Sequence, residues 1–195
     1  MNIGVDIDGV LTDFESFVLI KGGRYFSKKR NMHIINPEGF DVDQVFGVTK
    51  KQLLRFWMRH YFAYCITQPA RIGAKESLKK LKKDGNKIVI ITGRMLSYEK
   101  NLIGAIMRMS VKFWLWKNGI KYDSIVFCQE NDKKTEICKH LNIDIMIEDK
   151  PDNVMALLDS MPVICFDASY NRGFDAESIK RVKSWNEIYD CLEEL

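Results

Sequence analysis

The chain has 195 residues, 46% hydrophobic and 29% charged, and its 30 basic and 26 acidic side chains leave a net charge of +4. These proportions fit an ordinary globular domain and exclude a disordered, collagen-like or coiled-coil protein. The mild positive charge suits a small anionic substrate; a nucleic-acid partner would call for a concentrated basic face. No stretch approaches the ~18 apolar residues of a membrane-crossing helix, so no membrane role is expected. Asp6, Asp8 and Asp13 break up the apolar run near the N-terminus, which predicts no signal peptide. Five cysteines, odd in number and without a CxxC pair, predict reduced core thiols and a cytoplasmic location.

In chain order, residues 2–7 form a short β-type run that ends in acidic residues and Gly9. Residues 14–69 carry no convincing parallel strand. They open with a helix whose expected N-cap is Thr12, with Glu15 three residues on as in a capping box. A loop with Gly22-Gly23 and Asn36-Pro37 follows, then an aromatic-rich helix over 50–64. A helix over 74–83 has Leu78 and Leu81 on one face and stops at Gly85. Residues 87–91 (KIVII) predict a buried strand ending at Thr92-Gly93. Residues 98–116 carry Leu102, Ile106, Met109 and Phe113 at helical spacings, and Met107 and Met109 are read as core filler. Strands over 124–127, 144–147 and 162–166 alternate with helices over 134–141, 153–158 and 185–192. This alternation predicts an α/β fold with a doubly wound parallel sheet. Residues 1–13 and 70–195 would form the core, and 14–69 a small helical cap inserted after the first strand.

Asp6 and Asp8 leave the first strand at its carboxyl end, where open α/β sheets bind ligands. Period-2 geometry puts both on one side while the strand persists, and Gly9 lets the backbone turn. Two close carboxylates call for a cation or a shared proton. Oxygen donors without a nearby His or Cys favour Mg2+ over zinc. Glu148-Asp149 ends another strand in the same way. Thr92-Gly93-Arg94 offers a hydroxyl and backbone N–H donors to a phosphate, and Lys133 or Lys134 could neutralise carboxylates and phosphate together. Trp57, Tyr61 and Tyr64 share one helix face. They could stack on a substrate base or simply pack the insert onto the core. His33, His60 and His140 are isolated, and none is assigned as a ligand.

Asp6-Ile7-Asp8-Gly9-Val10-Leu11-Thr12, then Thr92, a lysine, and Glu148-Asp149 resemble in order the four motifs of the haloacid dehalogenase (HAD) superfamily. The resemblance spans the chain and implies a HAD-like Rossmannoid core. Asp6 would be the nucleophile, and Asp8 the general acid, then the general base. Thr92, Gly93 and Lys134 would bind phosphate, with Lys133 the fallback for Lys134. Mg2+ would be held by Asp6, the Asp8 carbonyl and Asp149, with Glu148 in the outer shell or exchanging roles with Asp149. Residues 6–14, Asn36-Pro37-Glu38-Gly39-Phe40-Asp41, Val45-Phe46-Gly47, Phe56-Trp57 and residues 148–153 resemble the 5′(3′)-deoxyribonucleotidases and their bacterial relatives. The implied activity is a 5′-nucleotidase, with Arg94, Trp57 and Lys150 as possible substrate contacts. A sugar-phosphate phosphatase or a catalytically silent HAD-fold binding protein are the alternatives.

Overall fold

The computed structural model describes residues 1–30, 32–129, 134–173 and 179–193. After β1 (Asn2–Val5) come α1 (Phe14–Phe17), a π turn at Val18–Gly22, α2 (Gly23–Arg30), α3 (Val42–Phe46) and α4 (Lys50–Thr67). The chain continues with α5 (Ala74–Lys83), β2 (Lys87–Thr92), α6 (Leu102–Lys117), β3 (Ser124–Phe127), α7 (Lys134–His140) and β4 (Ile145–Glu148). It ends with α8 (Pro151–Leu158), β5 (Val163–Phe166), a 3-10 turn at Ser169–Asn171, β6 (Ile179–Val182) and α9 (Trp185–Glu193).

The six strands form one parallel sheet in the order β3-β2-β1-β4-β5-β6. Its four inner strands are largely buried apolar runs because helices cover both faces. Ile3, Val5, Ile88, Ile90, Ile145 and Ile147 point to one face, against Leu78, Trp114 and Trp185. The alternate residues Val89, Ile91, Met146, Val163 and Cys165 point to the other, against Cys138, Val154 and Leu157. The order reverses at β1 and β4, whose carboxyl ends therefore flank the crevice in which such sheets bind ligands. Helices α1–α4 gather their own cluster of Phe14, Phe26, Phe46, Phe56 and Tyr64, which Met107 of α6 joins. No helix among the described residues is long and apolar enough to cross a membrane. All five cysteines are free, and four are buried.

Three local expectations change. The cap of α1 is Asp13, whose carboxylate accepts the Ser16 N–H at 3.0 Å. Thr12 is instead fully buried, its hydroxyl 3.2 Å from the Ile7 carbonyl and 2.8 Å from the Tyr64 hydroxyl. β6 went unseen because Lys180 and Arg181 interrupt its apolar pattern, as charges do on edge strands. Met109 is no core filler: it is 70% exposed, whereas Met107 is buried. α6 is apolar on nearly every side, so periodicity could not pick its inner face.

Trp185 ties the last helix to the loop after β1. It is fully buried, its indole N–H donates to the Val10 carbonyl at 3.1 Å, and its carbonyl accepts the Ser77 hydroxyl. Trp185→Ala empties this volume and is expected to lower unfolding stability by about 3–5 kcal/mol, read from the urea midpoint; a loss under about 1 kcal/mol would show that the anchor is not needed.

Candidate active site

The carboxyl ends of β1 and β4 lie side by side, with the Asp6 N–H donating to the Ile147 carbonyl at 3.1 Å. This pairing brings carboxylate oxygens of Asp6, Glu148 and Asp149 within 4.8 Å of one another. All three residues are at most 6% exposed. Asp149 can approach because Gly9 has no side chain. Gly9 sits at φ +89°, and a Cβ there would fall 1.8 Å from the Asp149 carboxylate. The position therefore demands glycine twice, for its backbone and for the space.

Lys134 opens α7 and is 5% exposed. Its ammonium donates to Asp6 Oδ1 at 2.6 Å and to Glu148 Oε2. Burial works against that charge, but Asp6 and Glu148 outweigh it and hold the lysine well above its ordinary range. The other Glu148 oxygen accepts the backbone N–H groups of Asp149 and Lys150, each at 3.1 Å. Both Glu148 oxygens are thus engaged. Asp149 differs: Tyr170 donates its hydroxyl to Oδ2, while buried Oδ1 has no hydrogen-bond partner. Burial first, then Glu148 and Asp6, push the Asp149 carboxyl well above its usual range. Burial lifts Asp6 from 3.8 to about 7 despite the pull of Lys134.

Asp8 stands apart from this cluster. Its carboxylate is gripped by Arg94, with Nη2 on Oδ1 at 2.7 Å and Nε at 3.0 and 3.1 Å from the two oxygens. The Tyr64 hydroxyl donates to the same Oδ1 at 2.7 Å. Arg94 is 2% exposed, and its backbone N–H donates to the Thr92 hydroxyl oxygen at 3.3 Å. Asp6, Asp8, Thr92, Gly93, Arg94, Lys134, Glu148, Asp149 and Lys150 all line one cleft, with Phe40 at its edge. Cys128 also lines it, but burial pushes its thiol up to about 11, which keeps it neutral and a poor nucleophile. A second cleft, lined by Glu38, Gln44, Asp152 and Tyr170, shares Phe40 and Lys150 with the first.

The sequence-predicted residues thus converge, with two refinements. Arg94 is committed to Asp8, and Trp57 packs within the helical insert, stacked on Phe14 and Phe17 with ring centroids 6.0 Å away and its indole N–H on Asp41. Lys133 lies outside the described residues. Of Trp57, Tyr61 and Tyr64, Tyr64 is the one that bonds a site carboxylate. Tyr170, Asn171 and Phe40 were missed. Tyr170 and Asn171 follow the carboxyl end of β5, and that position was the available signal. The Asn171 amide holds the Asp149 carbonyl at 2.8 Å.

The described metal-type donors at this cluster are all carboxylates. Three buried carboxylates, two of them bonded to one ammonium and the third with an orphaned oxygen, fit a hard divalent cation such as Mg2+.

Residues 1–194 match the family described as 5′ nucleotidase, deoxy (pyrimidine), cytosolic type C protein. A nucleotidase of Clostridium acetobutylicum is 28% identical, the match covering 100% of this chain and 95% of that one. A Chlorobaculum tepidum protein, provisionally named a 5′(3′)-deoxyribonucleotidase, is 28% identical over 98% of this chain and 89% of its own. The fold is similar to β-phosphoglucomutase of Clostridium difficile (TM-score 0.55, 21% identity, 99% and 95% of the two chains). It is also similar to CbbY of Rhodobacter sphaeroides in complex with phosphate (TM-score 0.57, 14% identity, 96% and 95%). With the family match spanning nearly the whole chain and the acidic cluster at the sheet's crevice, the protein belongs to the cytosolic type C deoxynucleotidase family of HAD-like phosphatases.

Proposed function

We propose that this chain is a Mg2+-dependent 5′-nucleotidase that hydrolyses (deoxy)nucleoside monophosphates through an aspartyl-phosphate on Asp6. The observation that carries the reading is the buried carboxylate trio with one lysine and the unpartnered Asp149 Oδ1. Asp6, Asp149 and the Asp8 carbonyl would hold the ion, with Glu148 behind them because both its oxygens are already engaged. When bound, Mg2+ would offset the carboxylate charge against an incoming phosphate and stabilise charge in the transition state.

The chain's own groups then divide the work. Lys134 holds the Asp6 carboxylate in place and favours its charged form. An Asp6 oxygen attacks phosphorus, and the ester P–O bond breaks. Thr92 and the Gly93 backbone would cradle the phosphoryl oxygens. Asp8 gives a proton to the leaving nucleoside oxygen. Its Oδ1 takes the Tyr64 bond and two Arg94 contacts, so Oδ2 is the less committed oxygen and the one suited to carry that proton. Asp8 next takes a proton from water. The water oxygen attacks phosphorus, the bond to Asp6 breaks, and phosphate leaves with Asp6 restored. The adjoining cleft beyond Phe40 and Lys150 would receive the nucleoside.

Phosphate release from nucleoside monophosphates, hexose phosphates and glycerol phosphate tests this directly. Activity should need Mg2+, vanish with EDTA, and fall at least about 1,000-fold in Asp6→Asn, in line with the cost of losing a covalent nucleophile. Preference for hexose phosphates would turn the reading to a sugar phosphatase. A folded protein that turns over no ester would be a binding protein.

The raised carboxyls set a pH dependence. Between pH ~4 and ~7 the ion-free folded protein keeps the Asp6 proton that the unfolded chain has released, so its stability falls as pH rises through that window. A divalent cation displaces that proton. The Tm gain from Mg2+ should be small at low pH and grow above pH ~7, reaching the equivalent of about 2.7 kcal/mol at 100 times Kd. A gain independent of pH counts against these carboxylates as ligands.

Phe40→Ala should raise KM for thymidine 5′-monophosphate about tenfold, consistent with a base-stacking contribution of about 1–3 kcal/mol. KM for glycerol phosphate should stay nearly constant; equal effects on both would remove Phe40 from nucleoside binding.

A further inference from the structure

The oxygens of the carboxylate trio are not equally available. Lys134 takes Asp6 Oδ1 and Glu148 Oε2, and the backbone N–H groups of Asp149 and Lys150 take Glu148 Oε1. Tyr170 takes Asp149 Oδ2. At most one oxygen of Asp6 and one of Asp149 then remain for an ion, and Asp149 Oδ1 is buried with no partner. The partner of Asp149 stands apart from the others: it is a neutral hydroxyl, brought from the 3-10 turn at Ser169–Asn171 after β5. That turn is held on three sides. Asn171 Nδ2 donates to the Asp149 and Phe166 carbonyls, each at 2.8 Å, and its Oδ1 accepts Arg181 Nη1 at 2.6 Å. The Ser169 N–H donates to Glu15 at 3.2 Å, and the Ser169 hydroxyl donates to the Pro37 carbonyl at 3.0 Å. The Phe40 and Tyr170 rings pack edge to face, with centroids 5.0 Å apart. The hydroxyl is therefore fixed from outside the acidic cluster. It stops a carboxylate that could otherwise turn about its Cβ–Cγ bond.

We propose that Tyr170 is a positioning residue that shifts the cation preference of the site toward Mg2+ and away from Ca2+, by occupying Oδ2 and keeping Asp149 a one-oxygen ligand. Mg2+ is held by one or two carboxylates in a tight octahedron and keeps several waters, whereas Ca2+ gathers about six to eight oxygens and often takes both from one carboxylate. An ion that drew on both Asp149 oxygens would break the Tyr170 bond and leave the hydroxyl without a partner, which costs free energy in a buried place. Removing the hydroxyl removes that cost for Ca2+. For Mg2+ it removes only the hold on the ligand. The inference rests on Asp149 as a ligand of the ion and extends that reading to the choice among ions.

Isothermal titration of the full chain, freed of metal by a chelator, with MgCl2 and with CaCl2 measures both affinities without substrate. Tyr170→Phe keeps the ring and its packing on Phe40, so its far-UV circular dichroism should match wild type. The variant should bind Mg2+ about tenfold more weakly, the usual scale for a lost outer-shell partner. It should bind Ca2+ as tightly as wild type or more so, and the ratio of Mg2+ to Ca2+ affinity should fall about tenfold or further. A purely structural role for Tyr170 would weaken both ions alike; an unchanged ratio in a wild type that binds Mg2+ overturns this inference alone. A wild type that binds neither ion overturns the metal reading and the inference with it.

Discussion

Asp6, Glu148 and Asp149 share a space less than 5 Å across with the single ammonium of Lys134. At that separation each pair of ionised carboxylates repels by about 3–4 kcal/mol, even at the effective dielectric of ~20 that suits protein sites. One lysine offsets part of this. The remainder shows as raised carboxyl pKa values, in which burial is the largest cause. Much of the local architecture serves to hold the strained group together. Adjacent parallel strands fix the spacing, Gly9 gives Asp149 room, two backbone N–H groups solvate Glu148, and the Asn171 amide bridges the Asp149 and Phe166 carbonyls. A fold that concentrates negative charge in this way has prepared a site for cations. In the proposed reaction, a bound cation would offset that charge before a phosphate approaches.

Asp8 obeys a different constraint. Its partners come from two regions that packed separately: Tyr64 from the helical insert and Arg94 from the loop after β2. Arg94 also lies near the Cys65 carbonyl of α4 and over the Tyr64 and Trp114 rings, at 5.4 and 5.6 Å. The insert and the sheet thus meet at the carboxylate assigned to proton transfer. A shift of α4 would alter the hydrogen bonds on Asp8 Oδ1 before it altered anything at Asp6. In the proposed mechanism, proton transfer would be the step that the position of the insert reaches first.

The sheet and the acidic site were legible in the chain because they rest on short-range signals. Apolar β-branched runs mark strands buried on both faces, and polar residues at their carboxyl ends mark the crevice. Asp6, Thr92, Lys134, Glu148 and Asp149 all lie at such ends or at the start of a helix beside them. What escaped depends on tertiary packing. The position of Tyr170 after β5 marks it as near the crevice, but not its bond to Asp149, twenty-one residues away. Nor does Tyr64 differ, as an aromatic on a helix face, from Trp57, which stays within the insert. Thr12 had the right neighbours for a capping box, but Asp13 took the cap once Thr12 was drawn to the Ile7 carbonyl and Tyr64.

The misplacement of Met109 has the same origin and leads further. Periodicity identifies the inner face of a helix only when the outer face is polar. α6 presents two apolar faces, one satisfied by the core and the other by nothing within the described residues. Intramolecular packing explains Met107 and Trp114, but it gives no reason for Phe113 and Trp116 to be large and apolar in water. Isolated exposed hydrophobics are ordinary; the five on this helix recur at helical spacing and adjoin a helix with three more. Arg108 of this helix also holds the Ser97 and Glu99 carbonyls, in the loop that carries Arg94. The helix that carries this exposed apolar row therefore also anchors the loop from which Arg94 reaches Asp8.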